Sequence, residues 1–444
     1  RHLLESDVIT DGEKNLFKAF DEYTNDSSSD KEIANEVVFR SIKVLSDCLY
    51  RYYNQKVIIL LDEYDTPMQE AYIHGYWEEF TAFIRSLFNS TFKTNPYLER
   101  AMMTGITRVS KESVFSDLNN LNVVTTTSDE YADCFGFTEP EVFTALDEFG
   151  LSGQKEAVKQ WYDGFTFGGK KDIYNPWSIT NFLDKKKFFP YWASTSSNGL
   201  VNRLIKEKFE KLLCGECIWS EIDEQIVYNQ LDGNEKAVWS LLLAGGYLKV
   251  LSYEKYQDIP EGTEPKYQLA LTNLEVKLMF QRMIHDWFAP VQPDYNDFVK
   301  AMVAGDVDAM NEYMNRIALQ TFSYFDTGDR ASGAEPERFY HGFVLGLLVD
   351  LRDRYYLRSN RESGFGRYDI MLEPKHPGKD NAVILEFKVR SARKGKSLEE
   401  TAQSAIAQIR ERKYSEELKM KGITDSQIKE YGVAFEGKTV LIVD

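Results

Sequence analysis

The chain has 444 residues, 43% hydrophobic and 28% charged, with 7 Trp, 26 Tyr and 28 Phe, enough material for several cores and incompatible with a disordered or collagen-like polymer. A formal charge of −17 excludes a protein that coats nucleic acid over its whole surface, although residues 351–413 hold 15 Lys and Arg against 9 Asp and Glu, so a basic stretch is local. The longest aliphatic run, Val57 to Leu61, is far short of the roughly 20 residues that cross a bilayer, so no membrane span is expected. Cys48, Cys134, Cys214 and Cys217 are too few for a disulfide framework and fit a reducing compartment, which makes the cytoplasm the expected location. The opening Arg1-His2-Leu3-Leu4-Glu5 has neither Met nor an apolar core, and reads as a fragment rather than a native start or signal peptide.

Apolar residues at Ile33, Val37, Val38, Ile42, Leu45 and Leu49 keep the helical period and predict a helix over 32–53. Val57-Ile58-Ile59-Leu60-Leu61 has no polar alternate, which predicts a parallel strand covered on both faces. A helical stretch from Pro67 through Leu87 and a second apolar strand, Ala101 to Ile106, complete a βαβ unit. Beyond Asn120 the texture changes to short helices and aromatic-glycine turns. A helix at 236–244 followed by paired strands at 247–251 and 267–271 predicts a winged-helix-like arrangement, and 275–325 is helical. Asp326 to Pro336, with two Gly and a Pro, reads as a linker. The expected organisation is an α/β multidomain protein: a partial P-loop-type parallel α/β module over 1–125, a helical and winged-helix-like middle over 126–325, and an α/β domain over 326–444.

Two constellations carry chemistry. An apolar strand ending in Asp62-Glu63 matches a Walker B element, in which one acid holds Mg²⁺ and the next activates water. Thr104 and Arg108 end the next strand as candidate sensors of a γ-phosphate. The one match to a phosphate-binding loop, Gly432 to Thr439, lies five residues from the end of the chain in a strand-like context, and reads as a hairpin turn. In the C-terminal region, Phe365 to Leu372 and Ala382 to Val389 read as strands. Alternation puts Glu386 and Lys388 on one face; with Asp369 beside them, two carboxylates and an ammonium meet in a set suited to Mg²⁺ or Mn²⁺ and phosphodiester hydrolysis. Glu337, at the start of a helix also carrying His341, is a candidate third acid. Arg390, Arg393, Lys394, Lys396, Gln408 and Arg412 are candidate contacts to a nucleic-acid backbone. Cys214 and Cys217 form a lone CxxC and the turns at Trp161 to Phe167 read as packing corners.

The motifs Leu3-Leu4-Glu5-Ser6-Asp7, Leu61 to Pro67, Thr104 to Lys111, Trp161 to Gly164, Tyr174 to Ser178 and Phe339 to Gly342 together resemble those of a bacterial family that fuses an AAA-ATPase-like module to a PD-(D/E)XK nuclease superfamily domain. The resemblance implies a C-terminal restriction-endonuclease-like domain with Asp369, Glu386 and Lys388 as its core, Glu337 on its leading helix, and Tyr368 in place of the usual Pro. It implies Asp62 and Glu63 as the Walker B pair, with the phosphate loop upstream of this chain, so that ATP and Mg²⁺ bind only in an intact parent. The expected activity is metal-dependent cleavage of nucleic acid, with DNA the expected polymer, regulated in that parent by the ATPase module. The alternative is a nucleic-acid-binding or regulatory ATPase-switch protein that does not cut.

Overall fold

A computed structural model describes residues 3–25, 35–106, 118, 121–193, 209–223, 234–325, 342–343, 345–347, 349–363, 366–390 and 397–444. The chain forms two compact units, one built mainly from residues 1–188 and 217–273, the other mainly from 274–444. The expected linker at 326–336 lies outside the described residues.

In the first unit, helices α1 (Asp11–Asn25) and α2 (Asn35–Tyr53) precede strand β1 (Val57–Leu61). Two helices, α3 (Thr66–Ile73) and α4 (Trp77–Phe88), then lead to β2 (Leu98–Met103), which pairs parallel with β1 as a crossover unit. The second strand starts three residues earlier than its apolar run, and Thr104 to Ile106 is loop. Cover is the larger difference. Val57, Ile59 and Leu61 are half-buried, but Ile58 and Leu60 are 63% and 76% exposed. An unbroken aliphatic strand has the composition of a doubly covered one, whereas among the described residues this sheet has cover on one face only.

Three strands, β3 (Phe137–Thr138), β4 (Phe165–Phe167) and β5 (Lys170–Tyr174), pair antiparallel in the order β3-β5-β4 beside helices α5 (Glu139–Glu148), α6 (Lys155–Tyr162) and α7 (Pro176–Lys185). Asn175 caps α7 by accepting the N–H groups of Trp177 and Ser178 at 2.9 and 3.2 Å, with Pro176 in the first turn, which accounts for the Asn-Pro-Trp-Ser sequence. Tyr162, Phe182 and Phe188 pack ring against ring. A third sheet, in the order β6 (Ile218–Glu221), β8 (Lys266–Leu271), β7 (Leu248–Tyr253), is antiparallel, and helix α8 (Glu235–Ala244) runs into β7 through Gly245-Gly246.

The second unit has helices α9 (Leu274–Phe288), α10 (Gln292–Ala304) and α11 (Val307–Phe325), then a segment at 342–351 that is helical where described. Five strands follow: β9 (Tyr355–Ser363), β10 (Gly366–Pro374), β11 (Ala382–Val389), β12 (Ile428–Glu436) and β13 (Thr439–Val443). The spatial order is β13-β12-β11-β10-β9, with β11 and β12 parallel and the other pairs antiparallel. Gly437, at φ +54°, turns β12 into β13, so the Gly432 to Thr439 pattern is strand, turn and strand. Helices α12 (Leu398–Arg412) and α13 (Ser415–Met420) lie between β11 and β12 in sequence, and Met371, Ala382 and Ile384 pack with Ile406, Ile409 and Leu418 in a core between sheet and helices. Ile370, Leu372, Val383 and Leu385 are equally buried on the other face, where the Tyr431 hydroxyl donates to the Met302 carbonyl of α10 at 2.8 Å.

The edge strand β13 is closed by side chains. Asn311 of α11 both donates to the Ile442 carbonyl and accepts its N–H, each at 2.8 Å; Asn315, one turn on, does the same for Val440 at 2.8 and 2.9 Å. Replacing Asn315 with Leu leaves both Val440 backbone groups without these partners. The expected cost is about 1–3 kcal/mol in denaturant-induced unfolding of the second unit. Removing the exposed Lys300–Asp297 pair with Lys300→Ala should leave the unfolding midpoint nearly unchanged in the same measurement.

Candidate active site

The β10–β11 ladder ends at Ile370 opposite Leu385, and the next residues along this register are Asp369 and Glu386. Opposed residues of an antiparallel pair share a face, so both carboxylates continue the row that Met371, Ala382 and Ile384 occupy in the core, at the end where that row becomes polar. Lys388, two residues past Glu386, lies on the same face. The sequence brings these three groups together because strands alternate, and the apolar halves of the two strands fix which face is which.

Helix α12 forms the opposite wall. Ser397 caps its first turn in a reciprocal box with Glu400, and its Ala402, Ala405, Ile406 and Ile409 are buried. The helix can approach because Gly432 sits beside Glu386 in the parallel β11–β12 register; a Cβ there would overlap the Ala402 carbonyl oxygen and crowd Ile406. From this wall the Ser404 carbonyl accepts a hydrogen bond from Lys388 Nζ at 2.9 Å, and Gln408 Nε2 donates to Glu386 Oε1. Gln408 Nε2 is also 3.5 Å from the hydroxyl of the buried Tyr414. Asp369 Oδ2 accepts the Phe387 N–H at 2.8 Å.

Glu386 is only 4% exposed, and its second oxygen, Oε2, is buried without a hydrogen-bond partner among the described residues. Burial first, and then the negative charge of Asp369, push its carboxyl up to about 8; Lys388, the Asp369 backbone and Gln408 pull the other way without prevailing. Two hard oxygen donors at one point, one of them unsatisfied, are a donor set that a divalent cation fits. Among the described residues no three His, Cys, Asp or Glu side chains form a metal-holding group, and Glu337 and His341 lie outside those residues.

The other candidates are dispersed. Arg393, Lys394 and Lys396 lie outside the described residues. Arg390 is ion-paired with Glu436, Arg412 is exposed at the last residue of α12, and Gln408 is turned inward onto Glu386. Tyr414 was not marked by composition or spacing, and spacing marked Gly432 only as the start of a loop-like pattern; its place beside Glu386 emerges only once β11 and β12 are paired.

In the first unit, the Thr104 hydroxyl donates to Asp62 Oδ1, joining the ends of β1 and β2, while Asp62 and Glu63 are exposed and Glu63 has φ +51°. Arg108 lies outside the described residues. Asp65, not singled out from sequence, is 3% exposed and accepts the Ile106 N–H at 3.3 Å, with Gly105 packed so closely on its carboxylate that a Cβ would clash.

Residues 5–115 match the model of a family described as Predicted AAA-ATPase, and residues 335–444 match that of the PD-(D/E)XK nuclease superfamily. The chain joins an AAA-ATPase-like segment to a PD-(D/E)XK nuclease superfamily domain. A protein of Azotobacter chroococcum mcd 1, described as "Uncharacterized protein in vnfD 5'region", is 23% identical over 385 residues, covering 83% of this chain and 67% of that protein. No solved structure matches the chain. The site on β10, β11 and α12 lies wholly within the nuclease-superfamily match, and the Asp62–Thr104 junction lies within the AAA-ATPase-like match. No described helix is long and apolar enough to cross a membrane.

The raised Glu386 carboxyl has a consequence for stability. Because the folded protein binds this proton more tightly than the unfolded chain, its contribution is fully present at acidic pH and is lost as pH rises from about 4.5 through about 8. In buffer containing a chelator, Glu386→Gln should therefore stabilise the nuclease-superfamily domain on the order of 3 kcal/mol at pH 8.5 and leave it nearly unchanged at pH 5, read by denaturant titration.

Proposed function

We propose that the C-terminal domain hydrolyses phosphodiester bonds of nucleic acid, with DNA the expected polymer and Asp369 and Glu386 holding Mg²⁺ or Mn²⁺. The observation that carries this reading is buried Glu386 beside Asp369, with its Oε2 lacking a hydrogen-bond partner among the described residues. A bound divalent cation would stabilise both carboxylates in their ionised form, polarise the scissile phosphodiester and acidify the attacking water. Lys388, fastened to the Ser404 carbonyl, orients that water and offsets charge on the phosphate. Gln408 holds Glu386 through Oε1 and leaves Oε2 for the cation. Glu337, on the leading helix, is the proposed third acid, and Arg390, Arg393, Lys394, Lys396 and Arg412 are proposed to steer the polyanion.

In this reading the AAA-ATPase-like segment is a regulator that responds to nucleotide with Mg²⁺: Asp62 and Glu63 are its Walker B pair, and Thr104 and Arg108 its sensors. The helix-and-strand portion around α8, β7 and β8 is read as winged-helix-like, and the four cysteines, all free, fit a cytoplasmic setting. The competing reading, a protein that holds nucleic acid without cutting it, predicts salt-sensitive binding with no metal-dependent turnover.

Incubating supercoiled plasmid with the protein and Mg²⁺ or Mn²⁺ should give nicked and linear product. Asp369→Ala and Lys388→Ala should each lower the rate by roughly 10²-fold or more. Equal nicking by all three proteins, or none by the wild type with either metal, discards the hydrolytic reading.

A further inference from the structure

Strands β10 and β11 separate at the candidate site. Their mutual pairing ends at Ile370 opposite Leu385, yet each keeps its other neighbour beyond that row. β11 stays parallel to β12 as far as Val389 opposite Phe435. β10 stays antiparallel to β9 through Tyr368 opposite Arg361, Arg367 opposite Glu362 and Gly366 opposite Ser363. At the fork the Phe387 N–H is taken by the Asp369 side chain, at 2.8 Å. Among the described residues no strand other than β9 pairs with β10 between Gly366 and Asp369, and none pairs with the outer edge of β9. The result is a two-stranded ribbon that runs about 14 Å past Ile370 at the usual strand rise.

Composition changes at the same row. Ile370, Met371 and Leu372 are buried and apolar, whereas Ser359-Asn360-Arg361-Glu362-Ser363 and Gly366-Arg367-Tyr368 contain no aliphatic residue and are rich in hydrogen-bond donors. Arg358, on the core side of the fork, is ion-paired with Glu373 and Glu417 and belongs to the packing. Strand alternation places Arg367 on the face of Asp369, and Arg361, opposite Tyr368, on the other face. β11 leaves the sheet at the same end, where the chain continues into Arg390, Arg393, Lys394 and Lys396. Residues 359–369 and 386–396 together hold seven Lys and Arg against three Asp and Glu, in a chain whose formal charge is −17.

Polar residues alone would serve a solvated hairpin. A cationic excess at this one end of an acidic chain, around the row that holds Asp369 and Glu386, fits a polyanion. The shape narrows the choice of polyanion. A two-stranded ribbon is admitted by the major groove of B-form DNA, about 12 Å wide. The major groove of duplex RNA is too deep and narrow for side chains to read, and a single strand has no groove.

We propose that the β9–β10 ribbon, with Arg361 and Arg367, is an arm that enters the major groove of B-form duplex DNA and selects the polymer presented to Asp369 and Glu386. This rests on the reading that the domain acts on nucleic acid, and goes beyond it in naming the docking element and the helical form it fits. Arg367 is two residues from Asp369, about 7 Å along the strand, so the groove contact and the carboxylates meet the same stretch of duplex.

The full chain in EDTA, titrated into short labelled duplex DNA, duplex RNA of the same sequence and single-stranded DNA at several salt concentrations, tests this by fluorescence anisotropy. Duplex DNA should bind roughly tenfold tighter than either other polymer. Replacing both Arg361→Ala and Arg367→Ala should weaken duplex DNA binding roughly tenfold, lower the slope of log affinity against log salt by about 2, and leave single-strand binding nearly unchanged. Lys300→Ala, which removes an exposed charge on α10, should leave all three affinities as they are. Equal wild-type affinity for the three polymers, binding to none of them, or a double variant that keeps the duplex preference overturns the arm. Should the double variant fail to fold, Arg367→Gln should show a smaller loss in the same direction, and an unchanged duplex affinity in that variant overturns the arm as well. Because no metal is present, this result is separate from nicking. Duplex selection through the ribbon with no cleavage under Mg²⁺ or Mn²⁺ would retain the arm and discard hydrolysis, whereas metal-dependent nicking without any effect of the ribbon substitutions on binding would do the reverse.

Discussion

Glu386 is placed where a carboxylate is costly: between a sheet and the helix packed on it, next to another acid, with one oxygen lacking a partner among the described residues. Much of the C-terminal domain can be understood as the arrangement that keeps it there. The strands must pair in the register that opposes Asp369 and Glu386, and the helix must come close enough for Gln408 and Ser404 to reach the polar end of the row. Gly432 satisfies the second condition by leaving out a side chain at the closest point. An apolar residue in place of Glu386 would suit the local packing better, and retaining an unsatisfied acid there is the kind of local conflict expected at a working site rather than in a purely structural core.

The same row of side chains serves both ends of the domain. Met371, Ala382 and Ile384 pack against Ile406 and Ile409 and bury the helix on the sheet; Asp369, Glu386 and Lys388 then inherit their orientation from that packing. Positions on rigid strands hold chemical groups more closely than loops do, and the Lys388 ammonium, on a long flexible stem, is held in addition by a helix carbonyl. The charged and apolar portions of this face are one construction, so a packing change near Ile406 is felt at Glu386 without any contact between the substituted atoms and the carboxylate.

Legibility in the sequence followed how local the determining physics is. Strand alternation is local, so the shared face of Glu386 and Lys388 could be read from residues 382–389 alone, and the hairpin nature of Gly432 to Thr439 from its short, strand-like tail. Gly432's second role, and the bond from Gln408 to Glu386, depend on a parallel pairing between strands separated by a helix, and no window of sequence contains both partners. The exposed Ile58 and Leu60 mark a different limit: periodicity reports that a strand is apolar on both sides, not which elements cover it. Asp65 was hidden by its neighbours, since Asp62 and Glu63 fit a known pattern, whereas burial of the third acid depends on Gly105 in the loop after β2.

The paired amides of Asn311 and Asn315 have an implication for assembly. By occupying the outward N–H and carbonyl groups of Val440 and Ile442, they act as a surrogate strand and make β13 unavailable for pairing with a further polypeptide. Sheet continuation into another molecule is thereby directed to the opposite margin, at β9, on the far side of β10 from Glu386. Growth of the sheet, if a partner ever extends it, would proceed away from the β13 margin and leave the neighbours of β11, on which the carboxylates depend, unchanged.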